Sequence, residues 1–288
     1  MKKILLTGGT GFFASRFALR YQNTYEIRSL SHRDLDVVNK DAVFAMVREF
    51  QPDIILHAAA IAVTDYCNQY PEKAHAINVD GTIHIAEAAA AYGAKVFFIS
   101  SEQVFNGNPQ PGPYKETDLP VPDTVYGQNK LEAEKRLQEI LPECWIARFT
   151  WLFGMPDRNC GMSGNILWDT VRSILADHKL QVPVHEFRGM TYVHEMTEQV
   201  EKMFTRPYGL YHLGAENNHS RYEIVEHIFS QMGLQNRFSA LVSKDEEKYS
   251  QQARDIRLCT SKAAELGIQF TPTVAAIEKC IKEYKIFK

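Results

Sequence analysis

Apolar and polar positions fall into two periods along the first half of the chain. Lys3–Thr7, Tyr25–Leu30, Asp53–His57, Lys95–Ser100 and Cys144–Phe149 are short apolar-rich runs of strand length. Between them, Val43, Met46, Val47 and Phe50 recur at helical spacing, the stripe of a helix packed on a sheet. An alanine-rich helix is predicted through Ala86–Ala91 from a start near Pro71, and another over Leu131–Leu141, ended by Pro142. This alternation predicts a parallel sheet with helices on both faces and right-handed crossovers. Five of the twelve prolines lie in Pro109–Pro122, which predicts a loop, because proline fixes φ and donates no backbone hydrogen bond. Loops of this length often serve as lids.

Beyond Phe149 the alternation weakens. Gly154–Gly164 reads as a loop, Ile166–Asp177 as a helix and Gly209–Gly214 as a strand. Arg221–Met232 and Ser261–Leu266 read as helices. Residues 1–149 are therefore expected to form the main domain, with a stretch near 190–212 rejoining it. Residues 150–189 and 213–288 are expected to build a smaller lobe.

Composition narrows the class. The 288 residues are 45% hydrophobic and 23% charged, enough to bury a core without staples. The net charge of −3 supplies no basic face for nucleic acid. No apolar run reaches the roughly 18 residues of a membrane span. Ile4-Leu5-Leu6 stops at Thr7-Gly8-Gly9, too short for a secretory signal. Cys67, Cys144, Cys160, Cys259 and Cys280 are odd in number and include no C-x-x-C pair, so no disulfide framework or cysteine zinc site is expected. His194-Glu195 lacks the second histidine of an H-E-x-x-H site. A cytoplasmic protein without metal, nucleic-acid partner or membrane contact is expected.

Thr7-Gly8-Gly9-Thr10-Gly11-Phe12-Phe13-Ala14 joins the first predicted strand to a helix. Glycine permits the tight turn, and helix-terminal N–H groups suit a pyrophosphate. Ala14 is the small residue where helix meets sheet. In this context the turn predicts dinucleotide binding on a Rossmann-like, doubly wound α/β fold. Asp36 and Val37, beyond the second strand, are candidates for the adenine side. That strand ends at Leu30, followed by Ser31-His32-Arg33, with no acid for a ribose 2′-hydroxyl. Arg33 suits a 2′-phosphate instead, so NADP is expected, with NAD possible.

Tyr126 and Lys130 are four residues apart near a helix start and share a face. An ammonium beside the phenol is expected to lower the tyrosine pKa and make it a proton donor; the lysine also suits a ribose. Ser100 and Ser101 end the fourth strand, and adjacent strand residues face opposite ways. Ser101 is the candidate to polarise a substrate carbonyl, and Ser100 competes with it. No G-x-S-x-G elbow supports a serine nucleophile.

Longer stretches carry a resemblance. They include Pro52-Asp53-Ile54-Ile55-Leu56-His57-Ala58-Ala59-Ala60, Pro71-Glu72-Lys73-Ala74 with Asn78-Val79-Asp80-Gly81, and Phe98-Ile99-Ser100-Ser101-Glu102-Gln103-Val104-Phe105-Asn106-Gly107. Tyr126-Gly127-Gln128-Asn129-Lys130-Leu131-Glu132, Arg148-Phe149-Thr150-Trp151, Gly209-Leu210-Tyr211-His212-Leu213 and Thr260-Ser261-Lys262 extend it nearly to the end. With them the chain resembles an extended short-chain dehydrogenase/reductase, and within that superfamily the dTDP-4-dehydrorhamnose reductase family. The resemblance implies NAD(P)H-dependent reduction of a nucleotide-linked 4-keto sugar, with the smaller C-terminal lobe binding substrate. It implies Ser101, Tyr126 and Lys130 as catalytic. It implies Gly8, Thr10, Gly11, Phe12, Phe13, Arg33, Asp36, Val37, Ala58, Ala59, Ala60, Tyr126 and Lys130 at the cofactor. Glu102, Gln103, Val104, Phe105 and Trp151 would lie at the substrate.

Departures qualify this. Ser101-Glu102-Gln103 stands where the family usually has Thr-Asp-Tyr, so sugar recognition is expected to differ. Asp65-Tyr66-Cys67-Asn68 lacks most acids of the family's magnesium-linked dimer, leaving a homodimer possible and a bound metal unexpected. Met190-Thr191 replaces the common Pro-Thr. Two alternatives remain. One is a nucleotide-sugar epimerase or dehydratase, the latter disfavoured because Gln103 is an amide and no general base. The other is a non-catalytic NADP-binding regulator resembling the β subunit of methionine adenosyltransferase.

Overall fold

The computed structural model describes residues 1–286. Strand β1 (Lys3–Thr7) turns into helix α1 (Phe12–Tyr21); strand β2 (Glu26–Leu30), helix α2 (Lys40–Phe50) and strand β3 (Ile54–His57) follow. Short helices α3 (Thr64–Gln69) and α4 (Pro71–His75) lead through a π-helical turn, Ala76–Asp80, into α5 (Gly81–Tyr92). Strand β4 (Lys95–Ser101) runs into a 3-10 turn at Glu102–Phe105, then come helix α6 (Val125–Ile140) and strand β5 (Cys144–Phe149). The five strands lie where the apolar runs predicted them, with one-residue differences at their ends. Helix α6 starts at Val125, so Tyr126 lies at its start as expected and the Leu131–Leu141 stretch is its continuation; the Thr124 hydroxyl caps it by accepting from the Gly127 N–H at 3.2 Å.

The second half contains β6 (Trp151–Phe153), α7 (Ile166–Leu175), β7 (Leu180–Pro183), β8 (Glu186–Phe187), β9 (Met190–Tyr192) and α8 (Val193–Met203). Strand β10 (Gly209–Leu213), α9 (Arg221–Gln231), α10 (Gln235–Leu241), β11 (Val242–Asp245), β12 (Arg254–Asp255), α11 (Ser261–Glu265) and α12 (Thr273–Glu283) complete it. Strands β6, β7 and β8 pair in parallel with β9, β11 and β12 respectively. None of these pairs was legible in the sequence, since segments of two to four residues are too short to display a period.

The main sheet has six parallel strands in the order β10-β5-β4-β3-β1-β2. Side chains alternate across it. Ile4, Leu6, Ile54, Leu56 and Phe97 join a core with Phe13 and Phe17 of α1 and Met196 and Val200 of α8. Leu5, Ile55, Val96, Phe98 and Ile146 face the other way, onto Val43 and Val47 of α2, Ile85 of α5 and Leu137 of α6. Strands buried on both faces explain the continuous apolar runs. The chain leaves β1 for β2 on one side and returns at β3 on the other, which opens a crevice at their carboxyl ends. Of the stretch expected to rejoin the domain, α8 packs against α1 and β10 forms the sheet edge, while β9 pairs with β6 instead.

The proline-rich segment is no free lid. Tyr114 donates its N–H to the Arg257 carbonyl at 2.8 Å, and Cys259 donates back to the Tyr114 carbonyl at 2.7 Å. The Tyr114 ring stacks on Phe105, centroids 4.4 Å apart. Paired backbone and a buried ring hold it to residues 255–259. No helix among the described residues is long and apolar enough to cross a membrane.

Candidate active site

Two depressions meet at the carboxyl ends of the strands. The first, about 690 Å³, is lined by Gly8, Thr10, Gly11, His32, Asp36, Val37 and the run Ala58–Ile61, among others. Gly8 has φ +66°, and a Cβ there would lie 2.8 Å from the Ala59 backbone. Only glycine fits this turn, so the loops after β1 and β3 touch without intervening side chains.

A neutral hydrogen-bond chain supports this wall. Thr82 Oγ1 donates to the Asn78 carbonyl at 2.8 Å and faces His57 Nε2 at 3.0 Å. His57 Nε2 therefore carries the proton, and Nδ1 accepts from Thr7 Oγ1 at 2.7 Å. Thr7 Oγ1 in turn accepts from the Ala59 N–H at 3.2 Å. Burial pushes His57 down to about 3, which keeps the ring neutral. The Asn78 amide pairs with both backbone groups of Ile61, at 2.8 and 3.0 Å. Sequence reasoning gave Thr7, His57, Asn78 and Thr82 no role. A histidine and two hydroxyls distant in sequence carry no local signal.

The other predicted cofactor residues divide. Phe12 and Phe13 are buried in the core, so only their backbone is offered at the helix start. Arg33 is exposed and stands off the cavity wall, which His32 lines instead. The Asp36 carboxylate accepts from the Val38 N–H at 3.0 Å. The loop after β6 leans on α1 through Arg16, which donates to the carbonyls of Met155 at 2.9 Å and Gly161 at 2.8 Å and to Asp157 at 2.6 Å. Arg16 was also missed, since a helical arginine reads as surface.

Tyr126 is buried beside the depressions and lines neither. It packs with Cys67, Ala74 and Ile61, and Ile61 lines the first cavity. Thr124, two residues earlier, lines the second. A Cβ at Gly127 would lie 2.5 Å from the Gln103 carbonyl oxygen, so glycine lets α6 close on the Glu102–Phe105 turn. The Ser101 hydroxyl accepts from the Gln103 N–H at 3.2 Å and lies close enough to Tyr126 to act on its pKa. Ser100 points oppositely, donating to the buried Glu134 carboxylate of α6. Glu134 is also gripped by Arg148 Nη2 at 2.7 Å.

The expected lowering of the Tyr126 pKa is overturned. Burial pushes the phenol up to about 12, and the nearby Ser101 hydroxyl opposes this only in part. Lys130 Nζ is 5.9 Å from the ring centroid and donates to the Ile99 carbonyl at 2.7 Å, so desolvation prevails. Lys130 itself is drawn down to about 8 by burial, against the pull of Glu134. At neutral pH the phenol holds its proton.

The second depression, about 590 Å³, is lined by Gln103, Phe105, Trp151, Arg188, Arg221 and Arg254, among others. Gln103, Phe105 and Trp151, expected at the substrate, thus share one depression. Glu102 and Val104 do not: both are buried, Glu102 against Arg188 and Val104 beside Tyr114 and Leu258. The three arginines, and Glu186 which they surround, were not foreseen because they come from three separate segments.

Parallel sheet, glycine turn at the switch point and a Ser-Tyr-Lys group define an extended short-chain dehydrogenase/reductase. Residues 1–286 match the family described as the RmlD substrate binding domain, and the chain belongs to that family. It is 31% identical over 240 residues to a dTDP-4-dehydrorhamnose reductase of Aggregatibacter actinomycetemcomitans, covering 80% of this chain and 79% of that protein. It is 28% identical over 302 residues to methionine adenosyltransferase 2 subunit beta of Bos taurus, covering 100% of this chain and 89% of that protein. In structure it is similar to dTDP-4-dehydrorhamnose reductase from Bacillus anthracis, solved in complex with NADP. The TM-score is 0.86 at 24% identity, over 98% of this chain and 100% of that one.

Proposed function

We propose that the chain is an NADPH-dependent reductase of a nucleotide-linked 4-keto sugar, acting on dTDP-4-dehydrorhamnose or a close relative. The observation that carries this is a protonated Tyr126 near Ser101, whose neighbours Ile61 and Thr124 line the first and the second depression respectively. The first cavity fits a dinucleotide: its volume suffices, and its glycine-alanine contact brings backbone to it without intervening side chains. Gly8, Thr10, Gly11 and Ala58–Ala60 would hold the cofactor, which supplies the hydride when bound. Arg33, exposed at the rim, would reach a 2′-phosphate. NAD remains an acceptable substitute.

In this reading Ser101 donates a hydrogen bond to the keto oxygen. Tyr126 protonates that oxygen as negative charge develops on it. Lys130 sits one helical turn from Tyr126, its ammonium stabilising the tyrosinate left behind and binding ribose. Trp151, Gln103 and Phe105 line the sugar side, and residues 150–189 and 213–288 act as the substrate lobe.

The purified chain should oxidise NADPH when given dTDP-4-dehydrorhamnose, and Tyr126→Phe should abolish this. The full-length match to the adenosyltransferase β subunit favours a second reading, a regulator. Bound NADPH without turnover of any 4-keto nucleotide sugar, together with copurification of a methionine adenosyltransferase, would select it.

A further inference from the structure

Glu102 follows Ser101 directly, yet its side chain is turned into the protein. Its Oε1 accepts from Nη2 of Arg188, while Oε2 is buried without a partner. Arg188 lies on the cleft wall, its guanidinium carbon 4.8 Å from the Trp151 ring centroid. Its Nη1 is 3.7 Å from Glu186 Oε1. Glu186 is already engaged by Arg254 at 2.5 Å and Arg221 at 3.2 Å. Glu186 thus keeps two cations if Arg188 moves, whereas Arg188 is the cation in direct contact with Glu102 and Arg254 acts on it only at longer range.

We propose that Glu102 is a positioning residue that fixes the Trp151 indole in the cleft through Arg188, so that one buried carboxyl sets the geometry of the substrate wall. Its kinetic consequences rest on the reductase reading; the coupling itself needs no ligand. Burial pushes the Glu102 carboxyl up to about 7; Arg188 and Arg254 oppose this and Glu186 adds to it. Trp151 is faced by Arg188 and by Arg221, whose guanidinium is 5.2 Å from the ring. The ionised carboxylate is the form that holds Arg188. The wall is therefore set above pH 7 and loosens as pH falls. Tyr126 and Lys130 act in their protonated forms, so their loss lies on the alkaline side. An acid limb separates Glu102 from them.

The test is tryptophan fluorescence of the whole chain from about pH 5 to about pH 9. The wild type should show a one-proton transition near 7, absent in Glu102→Gln and in Trp151→Phe, which retains Trp145 and Trp168. Glu102→Asp keeps a carboxyl and should retain a shifted transition, which guards against misfolding of the amide variant. In parallel, kcat/KM for dTDP-4-dehydrorhamnose should fall with unit slope below that pH. In Glu102→Gln it should be flat over this range and lower by about 10²-fold, with NADPH affinity unchanged. A transition that survives in Glu102→Gln, or none in the wild type, overturns the proposal. A transition that behaves as expected in a protein reducing no ketosugar upholds the coupling and overturns the reductase reading.

Discussion

The two depressions are built by opposite means. Glycine and alanine backbone walls the first cavity, the proposed cofactor site, backed by a neutral chain from Ala59 through Thr7 and His57 to Thr82. The second depression, the proposed substrate cleft, is walled by Arg188, Arg221 and Arg254 around the buried Glu186, with Glu102 beneath. One wall is fixed by covalent geometry and uncharged hydrogen bonds, whose state does not vary with pH. The other is fixed by mutually dependent charges. A pyrophosphate needs space and N–H groups, which a turn supplies. A sugar needs side chains converging from several directions, and holding these in place requires partners for every buried charge.

The sharpest way to separate the two walls is to remove the group beside them. Tyr126→Phe should lower kcat and kcat/KM together by about 10²–10⁴-fold, with binding on both sides intact. Steady-state kinetics and NADPH titration check this; a rise in KM alone would place Tyr126 in binding instead.

Glu186→Gln should break the charged wall. Three guanidinium groups would lose a buried carboxylate, at a cost on the order of 3–5 kcal/mol in urea unfolding. Burial alone would raise the Glu186 pKa, but the arginines outweigh it and hold the carboxyl below its ordinary value. Its stabilisation is therefore complete above the unfolded value of about 4.3 and is lost as pH falls through the lower folded value. The variant should lack that part of the acid dependence; an unchanged acid profile would count against the three-arginine cage.

Gly8→Ala should break the backbone wall alone. A strained φ and a Cβ 2.8 Å from Ala59 should weaken NADPH binding by roughly 1–3 kcal/mol. Nucleotide-sugar affinity, read by calorimetry, should stay unchanged. Equal losses on both sides would mean that the walls are not independent.

The smallest effect is expected at Arg33. Arg33→Ala should narrow the preference for NADPH over NADH by several-fold, because an exposed cation on a 2′-phosphate is screened by water. Unchanged NADPH and NADH affinities would remove Arg33 from cofactor selection.

The sequence by itself determined whatever depends on neighbours along the chain. Strands buried on both faces wrote themselves as apolar runs, Thr7–Ala14 announced its turn, and Tyr126 and Lys130 fell one helical turn apart. These relations are local, and period and spacing record them. Tertiary structure decided the rest. It set Ser101 near Tyr126 and turned Ser100 toward Glu134, buried Glu102 under a wall it was expected to line, and fastened the proline-rich segment to residues 255–259. It also brought Arg188, Arg221 and Arg254 around Glu186 and raised the phenol that a nearby lysine was expected to lower. Desolvation and long-range charge pairing depend on the three-dimensional surroundings of a group, which no window of sequence contains.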